Sequence, residues 1–192
     1  RDKLTFAFPP PLAAFGDWLE QLIAESTGKE GKGILPVVGE APADTAAYGA
    51  DRVFAFLGGA DDPDLRSREA ELAEAGHPVV RLDLPDAGDL GAQCFLWEVA
   101  TAVAGWRLGI NPFDQPNVES AKVLARERLA AFRAQGRLPE ETAALEAGPV
   151  KVFGDLRANS PAAALKAFLD AAATGGYVAL HAYIRPTPEA DR

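Results

Sequence analysis

The sequence predicts an α/β fold built on a parallel, doubly wound sheet. Val53-Phe54-Ala55-Phe56-Leu57 is an unbroken apolar run of strand length. No position in it is polar enough to face water, as in a strand buried on both faces of a parallel sheet. A charged segment of helical period, Asp64 to Gly76, separates this run from the next strand, Pro78 to Leu84. Strand, helix and strand at that spacing form a right-handed βαβ unit.

From the amino end, Leu4-Thr5-Phe6-Ala7-Phe8 reads as a strand stopped by Pro9-Pro10-Pro11. Leu12, Phe15, Leu19, Leu22 and Ile23 then recur at steps of 3 and 4, the period of an amphipathic helix. Gly28 is expected to end it in the left-handed conformation that glycine adopts without penalty. Ile34 to Val38 is a short strand, and Pro36 points to an edge position. The helix after Val53–Leu57 turns Leu65 and Leu72 inward. Asp89 to Gly109 is the longest helical segment, and between Ala92 and Gly105 its only polar side chains are Gln93, Glu98 and Thr101. Burial on most sides is expected for it, together with a partner for Glu98, because an unpaired buried carboxylate is costly. It is too short and too interrupted to span a bilayer. Pro112, Pro116, an Asn and an Asp make Gly109–Pro116 a rigid turn, and Pro116 opens a helix that runs to about Gln135. Beyond a linker from Gly136 to Gly148, Val150–Phe153, a helix from Ser160 to about Ala173, and Tyr177–Ile184 read as one more strand–helix–strand set. The tail from Pro186 to Arg192 reads as frayed.

Composition narrows the function classes. With 192 residues, 48% of them apolar and 24% charged, the chain has material for one ordinary core. A net charge of −9 argues against a nucleic-acid surface, which needs clustered Lys and Arg. Cys94 is the only cysteine, and His77 and His181 lie about a hundred residues apart, so neither a disulfide framework nor a zinc site is supported. With neither a signal peptide nor a membrane span to be seen, a cytoplasmic location is expected. The chain contains no Met and enters its first strand at once, which suggests a domain cut from a longer protein. Gly58-Gly59 and the Gly28–Gly33 stretch both lack a nucleotide-loop pattern, and Asp61, Asp62 and Asp64 would repel phosphate.

Two stretches offer chemistry. In the first, Gln21 and Glu25 fall one turn apart beside Trp18, on a flank of the apolar stripe. Glu25 gains nothing from the helix dipole there, so it is either a general base at a pocket edge or a solvated surface residue, with Lys29 to Lys32 a solvated loop. In the second, Lys122 sits in the second turn of a helix held by a rigid loop, either poised toward an anionic or hydroxylated group or simply solvated. The carboxylate Glu98 is either catalytic or a tie to a neighbouring element.

Gly109-Ile110-Asn111-Pro112-Phe113-Asp114-Gln115-Pro116-Asn117-Val118-Glu119-Ser120-Ala121-Lys122 closely resembles the second signature of glucose-6-phosphate isomerase, G-[IV]-N-x-[FY]-D-Q-x-x-V-E-x-x-K. Gln21 to Lys29 is similar to the family's Q-x-x-x-E-S-x-G-K, and Leu90-Gly91 through Trp97-Glu98 to its helix that opens on Leu-Gly and carries a Tyr or Trp followed by Glu. The wording of Glu25 to Ile34 and the extra unit after Gly148 look most like the isomerase half of bacterial transaldolase/glucose-6-phosphate isomerase fusions. The resemblance implies a three-layer αβα sugar-isomerase domain with a five-stranded parallel sheet, the C-terminal of two such domains. On this basis residues 1–147 would form that domain, and 148–192 an extension packed on it.

The same resemblance implies roles. Glu25 would move a proton between C1 and C2 of the open-chain sugar phosphate through a cis-enediolate. Gln21 would line the same pocket, Lys122 would contact the sugar near its ring oxygen and assist ring opening, and Glu98 would support the site. Such enolisation needs one carboxylate and no metal or cofactor. The implied partners are the sugar-phosphate substrate and an N-terminal sugar-isomerase domain of the same protein, with a homodimer left open. The family's phosphate loops, its enediolate-stabilising arginine and the histidine it places after the second strand are absent, the last replaced by Glu40–Gly49. Alone, the chain is expected to turn over little. A non-catalytic sugar-phosphate-binding or interaction domain of the same fold is the competing reading, and a purely structural assembly module is a third.

Overall fold

The computed structural model of the chain describes residues 2–58, 61–114, 116–139, 141–155, 157–173, 176–185 and 187. Gly59, Gln115 and all of the expected tail except Thr187 lie outside the described residues. Contacts divide the chain into Arg1–Lys122 and Val123–Arg192. The boundary expected at 147/148 falls within the second of these units.

The first unit is built on strands β1 (Lys3–Ala7), β2 (Leu35–Val37), β3 (Arg52–Leu57) and β4 (Val79–Leu82). They pair in parallel in the order β2-β1-β3-β4. Helix α1 (Ala13–Thr27) joins β1 to β2, α2 (Pro63–Glu74) joins β3 to β4, and α3 (Leu90–Leu108) follows β4. The alternation of side chains along β3 sorts the helices. Phe54 and Phe56 pack with Leu72 of α2. Ala55 and Leu57 face the other way and meet Phe6 of β1, Phe15, Leu19 and Ile23 of α1, and Trp97 of α3. Helices therefore cover both faces, giving the three-layer, doubly wound α/β architecture the sequence predicts. The sheet has four strands among the described residues, where the resemblance implied five. Pro36 lies in β2 at the sheet edge, where its missing N–H leaves no gap in the ladder.

Helix α1 buries Phe15, Gly16, Leu19, Ile23 and Thr27. Gly16 is required because a Cβ there would meet the Phe8 ring at 2.1 Å. Gly28 ends the helix as expected but with φ −74°, outside the left-handed region. Its need for glycine is instead a close approach, since a Cβ would lie 2.7 Å from the Ala24 carbonyl oxygen. Thr27 is fully buried. Its hydroxyl donates to Ile23 O at 2.7 Å and accepts from Ile34 N at 3.0 Å, tying the helix end to the approach to β2.

Helix α3 departs from expectation. Only Trp97, Thr101 and Gly105, a single stripe at steps of four, are buried. Phe95 and Trp106 are 69% and 75% exposed, and Leu96, Val99 and Val103 are exposed as well. Glu98 lies on the exposed side, so it needs no buried partner. The apolar content of the helix exceeds what one packing stripe can cover.

Helix α4 (Pro116–Gln135) crosses the boundary between the units. The second unit then contains an antiparallel hairpin of β5 (Leu145–Ala147) and β6 (Val150–Val152), followed by α5 (Pro161–Asp170). The expected strand–helix–strand set is thus corrected. Gly148, with φ 59° ahead of Pro149, makes a two-residue hairpin turn inside the supposed linker. Residues 177–184 form no strand. Tyr177, Leu180, Tyr183 and Ile184 are exposed, and an apolar run without a ladder partner stays irregular. Ser160 caps α5, its Oγ accepting from Ala163 N. No helix among the described residues is long and apolar enough to cross a membrane.

Replacing Thr27 by Val keeps the shape but leaves the Ile34 N–H without its acceptor. A loss of about 1–3 kcal/mol in urea unfolding, with unchanged m-value, is expected. A second prediction concerns the start of the sheet, where the Lys3 ammonium bonds the Asp51 carboxylate. That bond holds Asp51 below its ordinary value near 3.8 and raises Lys3. A depressed carboxylate contributes stability that is present above its unfolded value and lost as pH falls through the folded one. Asp51→Asn is therefore expected to be less stable than the parent at pH 7, with the gap closing below about pH 3.8. Parallel denaturation curves with a constant gap from pH 7 to 3 would refute the assignment.

Candidate active site

The last two turns of α1 carry the first candidate group. Trp18, Gln21, Leu22, Glu25 and Ser26 line one open pocket of about 250 Å³. Trp18 stacks on Phe15, with ring centres 5.3 Å apart, which fixes the indole as an apolar wall. Gln21 and Glu25 form the polar wall. The Gln21 amide donates to Glu25 Oε2 at 3.4 Å, a long contact that leaves the half-buried carboxylate free to accept other donors. An indole beside an amide, a carboxylate and a hydroxyl along one helix face suits a small polyhydroxylated ligand. Gln21 and Glu25 are thus brought together as the sequence suggests. Lys122 is exposed on α4 and does not line this pocket, and neither does Glu98 on α3.

Past Gly28 the chain makes a turn that the sequence reading treats as a solvated loop. Lys29 and Lys32 instead bridge each other as a narrow antiparallel pair, Lys32 N donating to Lys29 O at 2.9 Å and Lys29 N to Lys32 O at 3.2 Å. The two central residues, Glu30 and Gly31, have φ of 55° and 71°, as a type I′ turn requires. Glu30 holds that conformation at a cost of about 1 kcal/mol or more, being a non-glycine residue.

The turn delivers Lys29 into the protein, with 5% of its side chain exposed. An ammonium has three N–H donors and no acceptor. The three acceptors of Lys29 are Asn111 O at 2.9 Å, Asp114 Oδ1 at 3.0 Å, and the Asp114 carbonyl oxygen. Burial of the charge is tolerated because every donor is matched. Lys32 reaches the Leu108 carbonyl at 2.8 Å, at the negative end of α3.

The segment these lysines grasp is itself highly ordered. Gly109, at φ 68°, ends α3, with Gly109 N bonded to Trp106 O and Ile110 N to Gly105 O, a Schellman motif. Ile110 and Pro112 are buried. Gly105 is bare so that Pro112 can pack on the helix, since a Cβ there would lie 2.8 Å from the proline ring. Asn111 Oδ1 accepts from Phe113 N in an Asx turn. The signal for Lys29 was present in the Glu30-Gly31 pair, whose glycine marks a tight reversal, but a burial partner 80-odd residues away leaves no local trace.

His77 packs edge-on against Tyr48 and Phe54, with Nε2 3.0 Å from Thr45 O, in the manner of a structural histidine. His181 is exposed. Among the described residues no three His, Cys, Asp or Glu side chains are grouped as a metal would require.

No family model matches the chain. Comparison with curated proteins gives a consistent name. The chain is 33% identical over 164 residues to "Probable glucose-6-phosphate isomerase" of Halobacterium salinarum, covering 67% of this chain and 38% of that one. It is 30% identical over 183 residues to "Glucose-6-phosphate isomerase" of Heliobacterium modesticaldum, covering 76% and 40%. It is 28% identical over 153 residues to the protein of that name from Lactobacillus helveticus, covering 60% and 34%. The chain spans between a third and two-fifths of the length of these relatives, and over most of its own length it is similar to proteins named glucose-6-phosphate isomerase.

Proposed function

We propose that this chain carries the proton-transfer part of an aldose–ketose isomerase site, acting between glucose 6-phosphate and fructose 6-phosphate. The observation that carries the reading is the convergence of Gln21 and Glu25 on one Trp18-walled pocket, in a chain similar to proteins of that name. Glu25 takes the proton from C2 of the open-chain aldose, the negative charge spreads over the C1–C2 enediolate while the hydroxyl proton passes from O2 to O1, and the same carboxyl returns its proton to C1. Gln21, one turn away, holds Glu25 in line and offers its amide to the sugar. Lys122 is assigned the contact near the ring oxygen in the substrate complex, and Glu98 a supporting role outside the pocket. An N-terminal sugar-isomerase domain of the same protein is the partner that supplies the phosphate loops and the cation for the enediolate, neither of which occurs in this sequence. The exposed apolar face of α3 is surface that such a partner would cover.

The test is isomerisation of fructose 6-phosphate by the full-length protein, wild type against Glu25→Gln, which keeps the shape and removes the base. A fall of about 10²-fold or more in kcat with little change in KM is expected. Unchanged turnover would sink the base assignment. A wild-type protein that binds sugar phosphate without converting it would favour a binding domain of the same fold.

A further inference from the structure

The Lys29–Lys32 turn ties the chain just after Glu25 to the loop that precedes α4. Glu25 lies four residues before Lys29 on one side. On the other, Asp114, which Lys29 grips through both its carbonyl and its carboxylate, lies two residues before the start of α4, the helix that bears Lys122. The turn is strained at Glu30, and its geometry places positions 29 and 32 opposite each other, so that both side chains leave on the same face. Both then end on the 108–114 segment, Lys32 on Leu108 and Lys29 on Asn111 and Asp114.

We infer that Lys29, assisted by Lys32, is a positioning residue that fixes the 109–114 loop ahead of α4 relative to the carboxylate of Glu25. The inference rests on the isomerase reading above. A loop that ended at a helix cap alone could pivot about Gly109. The three bonds of a buried ammonium at Asn111 and Asp114 remove that freedom at the far end of the loop. Proton transfer is sensitive to such control, because a displacement of about 1 Å remote from the chemistry can lower the rate by about 10²-fold. A solvated lysine pair would have no such effect, and neither would a lysine that merely filled space. Lys29 touches no substrate in this account and acts only through the geometry it sets.

The experiment compares wild type, Lys29→Met, Asp114→Ala, Glu25→Gln and the Lys29→Met/Glu25→Gln double variant in the full-length protein. The readouts are kcat and KM for fructose 6-phosphate, and amide hydrogen exchange over residues 109–114. Lys29→Met is expected to speed exchange in that loop by about tenfold or more and to lower kcat by about 10- to 10²-fold, with KM changed far less. In the Glu25→Gln background the same change should lower kcat little further, since there is no base left to misplace. Should Lys29→Met not fold, Asp114→Ala leaves the lysine its backbone acceptors and is expected to show the same kcat loss in smaller degree. A folded Lys29→Met, or Asp114→Ala in its place, with normal loop exchange and normal kcat would overturn the inference. So would a loss of kcat that is equally large with and without Glu25. If Glu25→Gln alone leaves turnover intact, it is the isomerase reading that fails, and the exchange data still decide whether Lys29 holds the loop.

Discussion

The central strand β3 has no side that tolerates water. Phe54, Ala55, Phe56 and Leu57 are each 3% exposed or less, and they alternate between two faces. The sheet must therefore be covered twice, and the remaining elements follow from that demand. Helix α2 spends Leu72 on the Phe54/Phe56 face, with Leu65 beside it. The opposite face is wider, because β1 adds Phe6 to it, and it takes both α1 and the Trp97 stripe of α3. Phe6 and Trp97 meet edge to face at 5.2 Å, the contact that draws α3 onto the same layer as α1. The candidate carboxylate is a consequence of this packing. Leu19 and Ile23 set the rotation of α1 against the sheet, and Gln21 and Glu25 are then left facing outward together on its flank.

A different kind of force orders the loops. Where apolar side chains run out, beyond the end of α1 and the end of α3, the structure relies on matched polar groups: the Thr27 hydroxyl, the Lys29 ammonium and the Schellman cap at Gly109. Such contacts are directional, and they fix loops to within a hydrogen-bond length in a way that area burial does not. The strained φ of Glu30 fits that pattern, since local strain persists only where surrounding bonds over-determine the backbone.

Much of the first unit was legible from the sequence because its signals are local. Apolar runs of strand length, the helical period of α1 and α2, and the edge position implied by Pro36 each depend on a few neighbouring residues, and the structure follows them. Most of what failed was non-local. Tyr177–Ile184 has the composition of a strand, yet a strand exists only if another edge pairs with it. The Gly148-Pro149 reversal was a legible hairpin signal hidden by reading its surroundings as a linker. At the candidate site, the Gln21–Glu25 pairing was readable from one helical turn. The burial of Lys29 was not, because its acceptors lie more than 80 positions later and two of the three are backbone oxygens that any residue would provide. The expected burial of Glu98 erred for a related reason. Apolar neighbours in sequence report that a helix wants cover, and they do not say on which sides this chain supplies it.

The position of the pocket also separates fold from function. In doubly wound sheets ligands gather at the carboxyl edge of the strands where the chain reverses direction, here between β1 and β3. Helix α1 leaves that edge and descends to the amino end of β2, so Glu25, in its last turn, stands at the opposite end of the sheet. A reading from topology alone would have placed the site beside Phe8 and Gly58, far along the sheet from the carboxylate. The side chains carry the functional assignment, and the fold contributes the rigid helix that presents them. A helix end is a demanding place for a carboxylate, because the dipole there opposes its charge. Keeping one at that position, half-buried against Trp18 and next to a turn strained to seat a buried lysine, sets two local preferences against stability within six residues. Such concentrated local conflict is characteristic of positions where geometry is held for chemistry.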